Sequence, residues 1–255
     1  MSLEDVGFKV AIPARFDSLR LPGKPLLKIA GKPLLQRVYE QGINSGAEEV
    51  IIATDDARIA ACARDWGATV CMTSTHCTSG SERIAEAVSA LGWGDATIVV
   101  NLQGDEPLMP PANIRQVAVN LAAHPAASIA SLCTSITRLA EYEDANVVKV
   151  VRDAADFALY FSRAPIPWSR EWDARAQHLP HCYRHLGLYA YRVSYLKTYA
   201  GTTSGAHERI EDLEQLRALW RGDRIHVAQA AEAPGRGVDT PADLAAVEAS
   251  IISQH

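Results

Sequence analysis

Short apolar runs alternate with amphipathic stretches along the first half of the chain. The apolar runs predict buried strands at residues 8–12, 50–53, 69–72 and 98–102. The stretches between them carry apolar positions at helical spacing, near residues 33–43, 56–66 and 80–91. Strands and helices that alternate in this way form a mostly parallel sheet with helices on both faces. The pattern therefore predicts an α/β fold.

After residue 125 the alternation is looser. Further strands are predicted at residues 128–136, 147–151, 158–161 and 186–191. A polar stretch between residues 165 and 182, which carries tryptophans and prolines, is interpreted as either a mobile loop near a site or a dimer contact. No Ser/Gly-rich linker or repeat divides the chain, so we expect one domain over residues 1–255. Its parts are a first half at about 8–125, an inserted excursion at about 126–235 and a closing helix at 240–252.

Local sequence signals mark the starts of two helices. Ser79 followed by Glu82 predicts a capping box for the helix near residues 80–91. Thr240, Pro241 and Asp243 predict the same kind of start for the closing helix, with proline at its first position. Another amphipathic helix is predicted from apolar positions 210, 213, 216 and 220.

Composition limits the class of protein. The 255 residues include 30 acidic and 25 basic ones, a net charge of −5, which argues against general nucleic-acid binding. No apolar stretch reaches about 18 residues, so we expect a soluble cytoplasmic protein with no membrane insertion. The five cysteines are scattered and odd in number, which fits reduced thiols, and no paired spacing favours zinc.

The loop after the first predicted strand concentrates positive charge. Arg15, Arg20 and Lys24 lie there with Gly23 and with prolines at positions 13, 22 and 25. Guanidinium and ammonium groups on a loop stiffened by proline favour a polyphosphate site, and the alternative is a solvated basic loop. The glycine patterns of P-loop kinases and of dinucleotide-binding dehydrogenases are absent here.

Two carboxylates are predicted near the same edge of the sheet. Asp105 follows the strand predicted at 98–102, and Asp239 directly precedes the closing helix. Together with phosphate oxygens they would suit Mg²⁺. The alternative interpretations are a turn residue for Asp105 and a helix cap for Asp239.

A second polar set follows later in the chain. Arg163 and His185 lie at the ends of predicted strands, where a side chain can face a cleft, and Tyr189 follows shortly after. Glu214 and Gln215 fall within the predicted helix around residues 210–220, for which a solvated helix face is the simpler interpretation.

Taken together, these segments resemble one family, the 3-deoxy-manno-octulosonate (KDO) cytidylyltransferases, also called CMP-KDO synthetases. The matching motifs are IPAR at residues 12–15, RLPGKP at 20–25, SGSER at 79–83, NLQGDEP at 101–107, LYFSR at 159–163, HLG at 185–187, IEDLEQLR at 210–217 and GVDTP at 237–241. They follow the family's order from about residue 8 to residue 247.

The resemblance implies a Rossmann-like nucleotide-sugar transferase fold with an inserted dimerisation or lid excursion, and a homodimer. It assigns the nucleotide site to Pro13, Ala14, Arg15, Arg20, Lys24, Ser79, Arg83 and Gln103. It assigns the catalytic set to Lys24, Asp105 and Asp239, with the two aspartates as Mg²⁺ ligands. It assigns the sugar-acid pocket to Arg163, His185, Tyr189, Glu214 and Gln215.

The implied reaction is the activation of KDO by CTP, with Mg²⁺, for lipopolysaccharide biosynthesis. The C2 hydroxyl of KDO attacks the α-phosphate, and CMP-KDO and pyrophosphate are formed. Two alternatives stay open at this point. One is a cytidylyltransferase for a related sugar acid, either 8-amino-KDO or a sialic-type acid. The other is a non-catalytic nucleotide-binding protein on the same scaffold.

Overall fold

A mixed sheet forms the centre of the protein in a computed structural model, which describes residues 6–17 and 21–253, with residues 172–174 by backbone alone. The strands are β1 (Lys9–Ala14), β2 (Lys28–Ile29), β3 (Lys32–Pro33), β4 (Glu49–Thr54), β5 (Thr69–Met72), β6 (Ile98–Asn101), β7 (Ile129–Ser135), β8 (Lys149–Arg152), β9 (Ala158–Ser162), β10 (Tyr183–Arg192) and β11 (Ile225–Gln229). The helices are α1 (Leu34–Asn44), α2 (Ala57–Asp65), α3 (Gly80–Ala90), α4 (Pro111–Ala123), α5 (Leu139–Glu143), α6 (Val193–Ala200), α7 (Ala206–Glu211), α8 (Leu216–Trp220) and α9 (Pro241–Ile252). Segments Lys24–Leu26 and Trp172–His181 are 3₁₀ helices.

The main sheet has the strand order β11-β7-β10-β6-β1-β4-β5. Strands β6, β1, β4 and β5 are parallel, and β10 runs antiparallel to both β6 and β7. The β8–β9 hairpin joins this sheet through β10, while β2 and β3 pair separately. The predicted α/β class and the four strands of the first half are confirmed, with strand ends shifted by at most two residues.

The antiparallel β10 has a direct effect on where the site can form. Tyr189 pairs with Asn101, the last residue of β6, so the earlier part of β10 extends beyond the carboxyl end of β6. A register shift between Leu186 and Tyr189 marks a bulge in its pairing with β7. Bulges redirect side chains and are frequent beside active sites. Residues 183–188 are therefore presented at the edge where the parallel strands end.

Side chains from alternate positions of the strands supply two hydrophobic layers. Val10 and Ile12 of β1 belong to one buried cluster, and Ala11 between them belongs to the other. The first cluster packs against α1, α4 and α9, and the second packs against α3, α6 and α8. Burial on both faces explains why the parallel strands read as continuous apolar runs.

The predicted helix around residues 210–220 is wrong. Helix α7 ends at Glu211, Asp212 takes a left-handed conformation with φ of 52°, and α8 begins only at Leu216. Ile210, expected on the buried face, is 80% exposed. The chain breaks here because Arg163 donates to the carbonyl oxygens of Glu211 and Asp212, which satisfies them without a further helical turn.

The two predicted helix caps differ in outcome. Thr240 and Asp243 form the complete capping box of α9. Ser79 accepts a hydrogen bond from the Glu82 backbone as predicted, but the Glu82 carboxylate binds the backbone of Thr78 and not that of Ser79. The capping box of α3 is therefore only half formed.

Among the helices that the structure describes, none is long and apolar enough to cross a membrane.

Candidate active site

A cleft of about 490 Å³, the first cavity, opens where the parallel strands end. It lies at the carboxyl edge of an open α/β sheet, which is the usual place for ligands in such folds. The sequence-predicted residues in its lining are Pro13, Ala14, Arg15, Lys24, Ser79, Arg83, Gln103, Asp105 and Asp239. Arg20, which was assigned to the same site, lies outside the described residues.

Lys24 joins the two predicted metal ligands. Its Nζ lies 2.8 Å from Asp105 Oδ2 and 3.2 Å from Asp239 Oδ1. It also donates to the Val238 carbonyl oxygen at 2.9 Å. Burial favours a lower pKa for Lys24, but the two carboxylates outweigh it and raise the pKa above its ordinary value. Lys24 therefore stays charged and holds the carboxylates next to each other.

Local backbone contacts bring Asp105 and Asp239 together from distant parts of the chain. The Val238 amide donates to the Asp105 carbonyl oxygen at 2.9 Å, directly before the capping box of α9. Gly104 permits this turn, because a Cβ there would lie 2.9 Å from the Pro13 carbonyl oxygen. The two aspartates are thus placed by a tight turn at one end and by a helix start at the other.

Arg83 and Gln103 face the same cleft with part of their donors already used. The Arg83 guanidinium is buried and donates to Asp55 Oδ2 at 2.9 Å and to Thr73 Oγ1 at 2.6 Å. Gln103 donates to Asn101 Oδ1 at 3.3 Å. These contacts fix both side chains before any ligand binds.

A second cavity, of about 540 Å³, adjoins the first. Of the predicted sugar-acid residues, His185, Tyr189 and Gln215 line it. Sequence reasoning missed three cations in the same lining, Arg138, Arg184 and Arg236. Arg184 directly precedes the HLG motif and Arg236 directly precedes the GVDTP motif, and these two positions were the available signals. Arg138 and Arg236 come from segments whose approach to this cavity depends on the tertiary fold.

His185 is buried as a neutral ring. Burial lowers its pKa to about 3. Its Nε2 lies 2.8 Å from Ser131 Oγ, and that hydroxyl has the carbonyl oxygens of Leu186 and Leu188 as acceptors at 3.1 and 2.9 Å. Because the single hydroxyl hydrogen is used there, we assign Nε2 as the donor to Ser131. His185 therefore belongs to the rigid frame of the bulge in β10.

Two residues assigned to the sugar-acid pocket are placed elsewhere. Arg163 is in neither lining, and its guanidinium donates to three backbone carbonyl oxygens, at Ala145, Glu211 and Asp212. Glu214 is likewise in neither lining, and its Oε1 accepts a hydrogen bond from Ser79 Oγ at 3.2 Å. Both side chains thus have partners within the protein here, and the assignment of Arg163 and Glu214 to the sugar-acid pocket stays a prediction.

The two cavities share a narrow boundary. Asp105 lines the first cavity, while its neighbour Glu106 lines the second. Likewise, Asp212 and Asp239 line the first cavity, whereas Leu213 and Gly237 line the second. Burial raises the pKa of Glu106 to about 8, and the nearby charge of Asp105 adds to this effect. One ligand in each cavity would therefore meet across this boundary.

Comparisons with known proteins decide the family. A family model described as "Cytidylyltransferase" matches residues 10–225. The 3-deoxy-manno-octulosonate cytidylyltransferase of Thioalkalivibrio sulfidiphilus is 56% identical over 245 residues, 95% of this chain and 98% of that protein. The chain belongs to the 3-deoxy-manno-octulosonate cytidylyltransferase family.

Other members of this cytidylyltransferase family agree over the full length. The Vibrio vulnificus protein of the same name is 53% identical over 251 residues, 98% of this chain and 100% of that protein. A solved structure of CMP:2-keto-3-deoxy-manno-octonic acid synthetase complexed with CTP superposes with a TM-score of 0.89 at 39% identity. The match covers 98% of this chain and 100% of that one, so the cytidylyltransferase fold extends over the whole described sheet.

The close approach at Gly104 generates a first prediction. We expect Gly104→Ala to lower the free energy of unfolding by about 1–3 kcal/mol, because the added methyl group meets a backbone oxygen. Gly80→Ala is the control, since its Cβ would lie 3.4 Å from Pro13 Cγ, an ordinary contact. Urea unfolding of both variants checks this. Equal destabilisation of the two variants would contradict it.

The buried His185 generates a second prediction. The ring is neutral in the folded protein, whereas in the unfolded chain it takes up a proton near pH 6.5. Because protonation favours the unfolded chain, the free energy of unfolding falls as the pH drops from about 6.5 towards 3. We expect His185→Gln, which keeps a donor for Ser131, to make this fall less steep. Urea unfolding at several pH values measures the slope. His207→Gln, at an exposed position, is the control, and an unchanged slope in His185→Gln would refute the prediction.

Proposed function

We propose that this protein couples CTP to the sugar acid KDO and releases pyrophosphate. The observation that carries the proposal is the shared boundary of the two cavities, which lets a nucleotide and an acceptor meet at Asp105. The names of the relatives, and the CTP bound to the structural neighbour, indicate which substrates those proteins take. The charges of the two linings support the same pair here.

The second cavity is suited to an anionic acceptor. Among the described residues, its lining holds three arginines and one carboxyl group, Glu106, whose pKa is raised to about 8. Arg184 is paired with Glu141 and Arg236 with Asp243, outside the lining. KDO is a carboxylic acid, and guanidinium groups bind carboxylates through paired hydrogen bonds. We propose that Arg138, Arg184 and Arg236 attract this carboxylate, and that Tyr189 and Gln215 contact the sugar. Arg163 also stabilises the wall of the cavity through its hydrogen bonds to Ala145, Glu211 and Asp212.

The first cavity is suited to a triphosphate only with added positive charge. Its described lining carries the cations Arg15, Lys24 and Arg83 but the four carboxylates Asp17, Asp105, Asp212 and Asp239. The side chains of Asp105 and Asp239 are 33% and 51% exposed and contact one ammonium, so their oxygens can approach a common cation. This donor set fits Mg²⁺, and we propose these two residues as its ligands.

The proposed mechanism relies on positioning and charge. The C2 hydroxyl oxygen bonds to the α-phosphorus, the bond from that phosphorus to the bridging oxygen breaks, pyrophosphate leaves, and the hydroxyl proton passes to solvent. Bound Mg²⁺ would neutralise phosphate charge and favour ionisation of the hydroxyl. Arg15 binds the phosphates, the charge of Lys24 lies beside them, and the second cavity directs the hydroxyl towards the boundary at Asp105.

We also propose a homodimer. Trp168 is 66% exposed and Leu159, on β9, is 60% exposed. Leu159 belongs to the β8–β9 hairpin, which branches from the main strand order at β10, and Trp168 belongs to the segment after it. Exposed apolar side chains concentrated in one region often mark protein contacts, and two-fold dimers are the most common assembly. The alternative, a lid over the second cavity, would leave the protein monomeric.

The reaction itself is tested by pyrophosphate release. We expect release when CTP, KDO and Mg²⁺ are all present, and background levels when any one is omitted. ATP or UTP in place of CTP, and N-acetylneuraminate or 8-amino-KDO in place of KDO, form the comparison panel. Faster turnover of another sugar acid would support the alternative substrate, and release independent of any acceptor would contradict the proposal.

The metal assignment is tested by charge removal. We expect Asp105→Asn and Asp239→Asn to lower turnover by roughly 10² or more, because each removes one carboxylate from beside the transferring phosphoryl group. Asp65→Asn, at an exposed position of α2, is the matched control. Turnover is measured as a function of Mg²⁺ concentration, with circular dichroism to check folding. Folded variants of both with wild-type turnover would reject the assignment.

The assembly is tested by sedimentation at micromolar concentration. We expect a mass near twice the chain mass of 27.6 kDa. Trp168→Ser should weaken the association, whereas Trp220→Ser, which is 60% exposed on α8, should leave it unchanged. A single species of 27.6 kDa for the unmodified protein would rule out the dimer.

A further inference from the structure

A buried lysine outside both cavities takes no part in the chemistry described above. Lys149 begins β8 and is fully buried. Its Nζ donates to the carbonyl oxygens of Asp144 at 2.8 Å, Val147 at 2.6 Å and Arg163 at 2.5 Å. An ammonium group has three N–H donors, so all of them are used. Lys149 thereby fixes the turn before β8 to the residue that follows β9.

Arg163 extends this network in the other direction. Its guanidinium donates to the carbonyl oxygens of Ala145 at 3.1 Å, Glu211 at 2.6 Å and Asp212 at 3.3 Å. The Glu211 carboxylate in turn accepts hydrogen bonds from the Arg163 amide at 2.9 Å and from Ser162 Oγ at 2.6 Å. The turn at residues 144–147 is therefore joined to the end of α7 through Arg163.

The two joined segments lead directly into the walls of the second cavity. Asn146, Val147 and Val148 line it after the turn, and Leu213 and Gln215 line it after α7. Neither segment is regular secondary structure at these positions. The distance between these two segments therefore depends on the side-chain network that joins them.

A charged group at this place has a cost that an apolar one would avoid. Burial lowers the pKa of Lys149 relative to its ordinary value, which shows the energetic penalty on its charge. Even a buried ion pair can often be replaced by apolar residues without loss of stability. The lysine is better explained by geometry, since a methionine of similar length could not bind three carbonyl oxygens.

We propose that Lys149 is a positioning residue for the acceptor: with Arg163 it sets the distance between the two walls of the second cavity. This inference rests on the proposed function for the identity of the acceptor. Lys149 itself lines neither cavity, so its effect on turnover is indirect. It should alter the binding of KDO and leave the binding of CTP unchanged.

The test compares Lys149→Met with Lys9→Met. Lys9 also begins a strand, and it is paired with Glu49, far from β8 in the sheet order. Hydrogen exchange should accelerate about tenfold or more at residues 144–148 and also at 211–215 in Lys149→Met, and at neither segment in Lys9→Met. The KM for KDO should rise about tenfold, with the KM for CTP within about twofold of wild type.

The outcomes separate this inference from the proposed function. Acceleration confined to residues 144–148, or an equal rise of both KM values, would overturn it. If the wild-type enzyme does not use KDO, the proposed function fails, and the exchange measurement alone decides the role of Lys149.

If Lys149→Met does not fold, Arg163→Lys is tested in its place. The lysine keeps the positive charge but lacks the guanidinium that joins Ala145 to Asp212. The same acceleration of exchange is expected there at residues 144–148 and 211–215, and exchange at wild-type rates in both segments would overturn the inference.

Discussion

The pairing of β10 with both β6 and β7 determines where this protein can bind two ligands side by side. Because β10 is antiparallel to its neighbours, the residues before Tyr189 continue past the end of β6. A fully parallel sheet would end all its strands at this edge and would leave only loops to build a second cavity. The bulge between Leu186 and Tyr189, held by Ser131, presents His185 and Gly187 to that cavity. The second cavity lies beside the first because of this one strand direction.

Charge is divided between the cavities in a way that suits two anions that must react. Lys24 holds Asp105 and Asp239 together within the first cavity, where carboxylates outnumber cations in the described lining. The second cavity has the opposite balance, with three arginines near Glu106. An anionic acceptor is thus attracted to the second cavity, and a triphosphate enters the first together with its metal ion. Positioning of this kind supplies much of the rate enhancement in group transfer.

Sequence patterns predicted those site residues whose position depends on local structure. Asp105 follows a buried strand and Asp239 precedes a capped helix, so both could be placed at the sheet edge without knowledge of the topology. Arg163 could not, because its role depends on carbonyl oxygens that become available only where α7 ends. The cation at Arg138 was missed for a similar reason, since its position in the second cavity follows from the β7–β10 pairing. A helix was wrongly predicted over Glu214 because the spacing of apolar residues does not reveal the left-handed conformation of Asp212.

The central claim is that acceptor and nucleotide occupy separate cavities and meet at the Asp105 boundary. The most direct measurement is a crystal structure with CTP, Mg²⁺ and a KDO analogue that lacks the C2 hydroxyl, so that no reaction occurs. We expect the triphosphate beside Arg15 and Lys24, and the carboxylate of the analogue beside Arg138, Arg184 or Arg236, with its C2 atom facing the α-phosphorus. An analogue bound in the first cavity, or outside both, would contradict it.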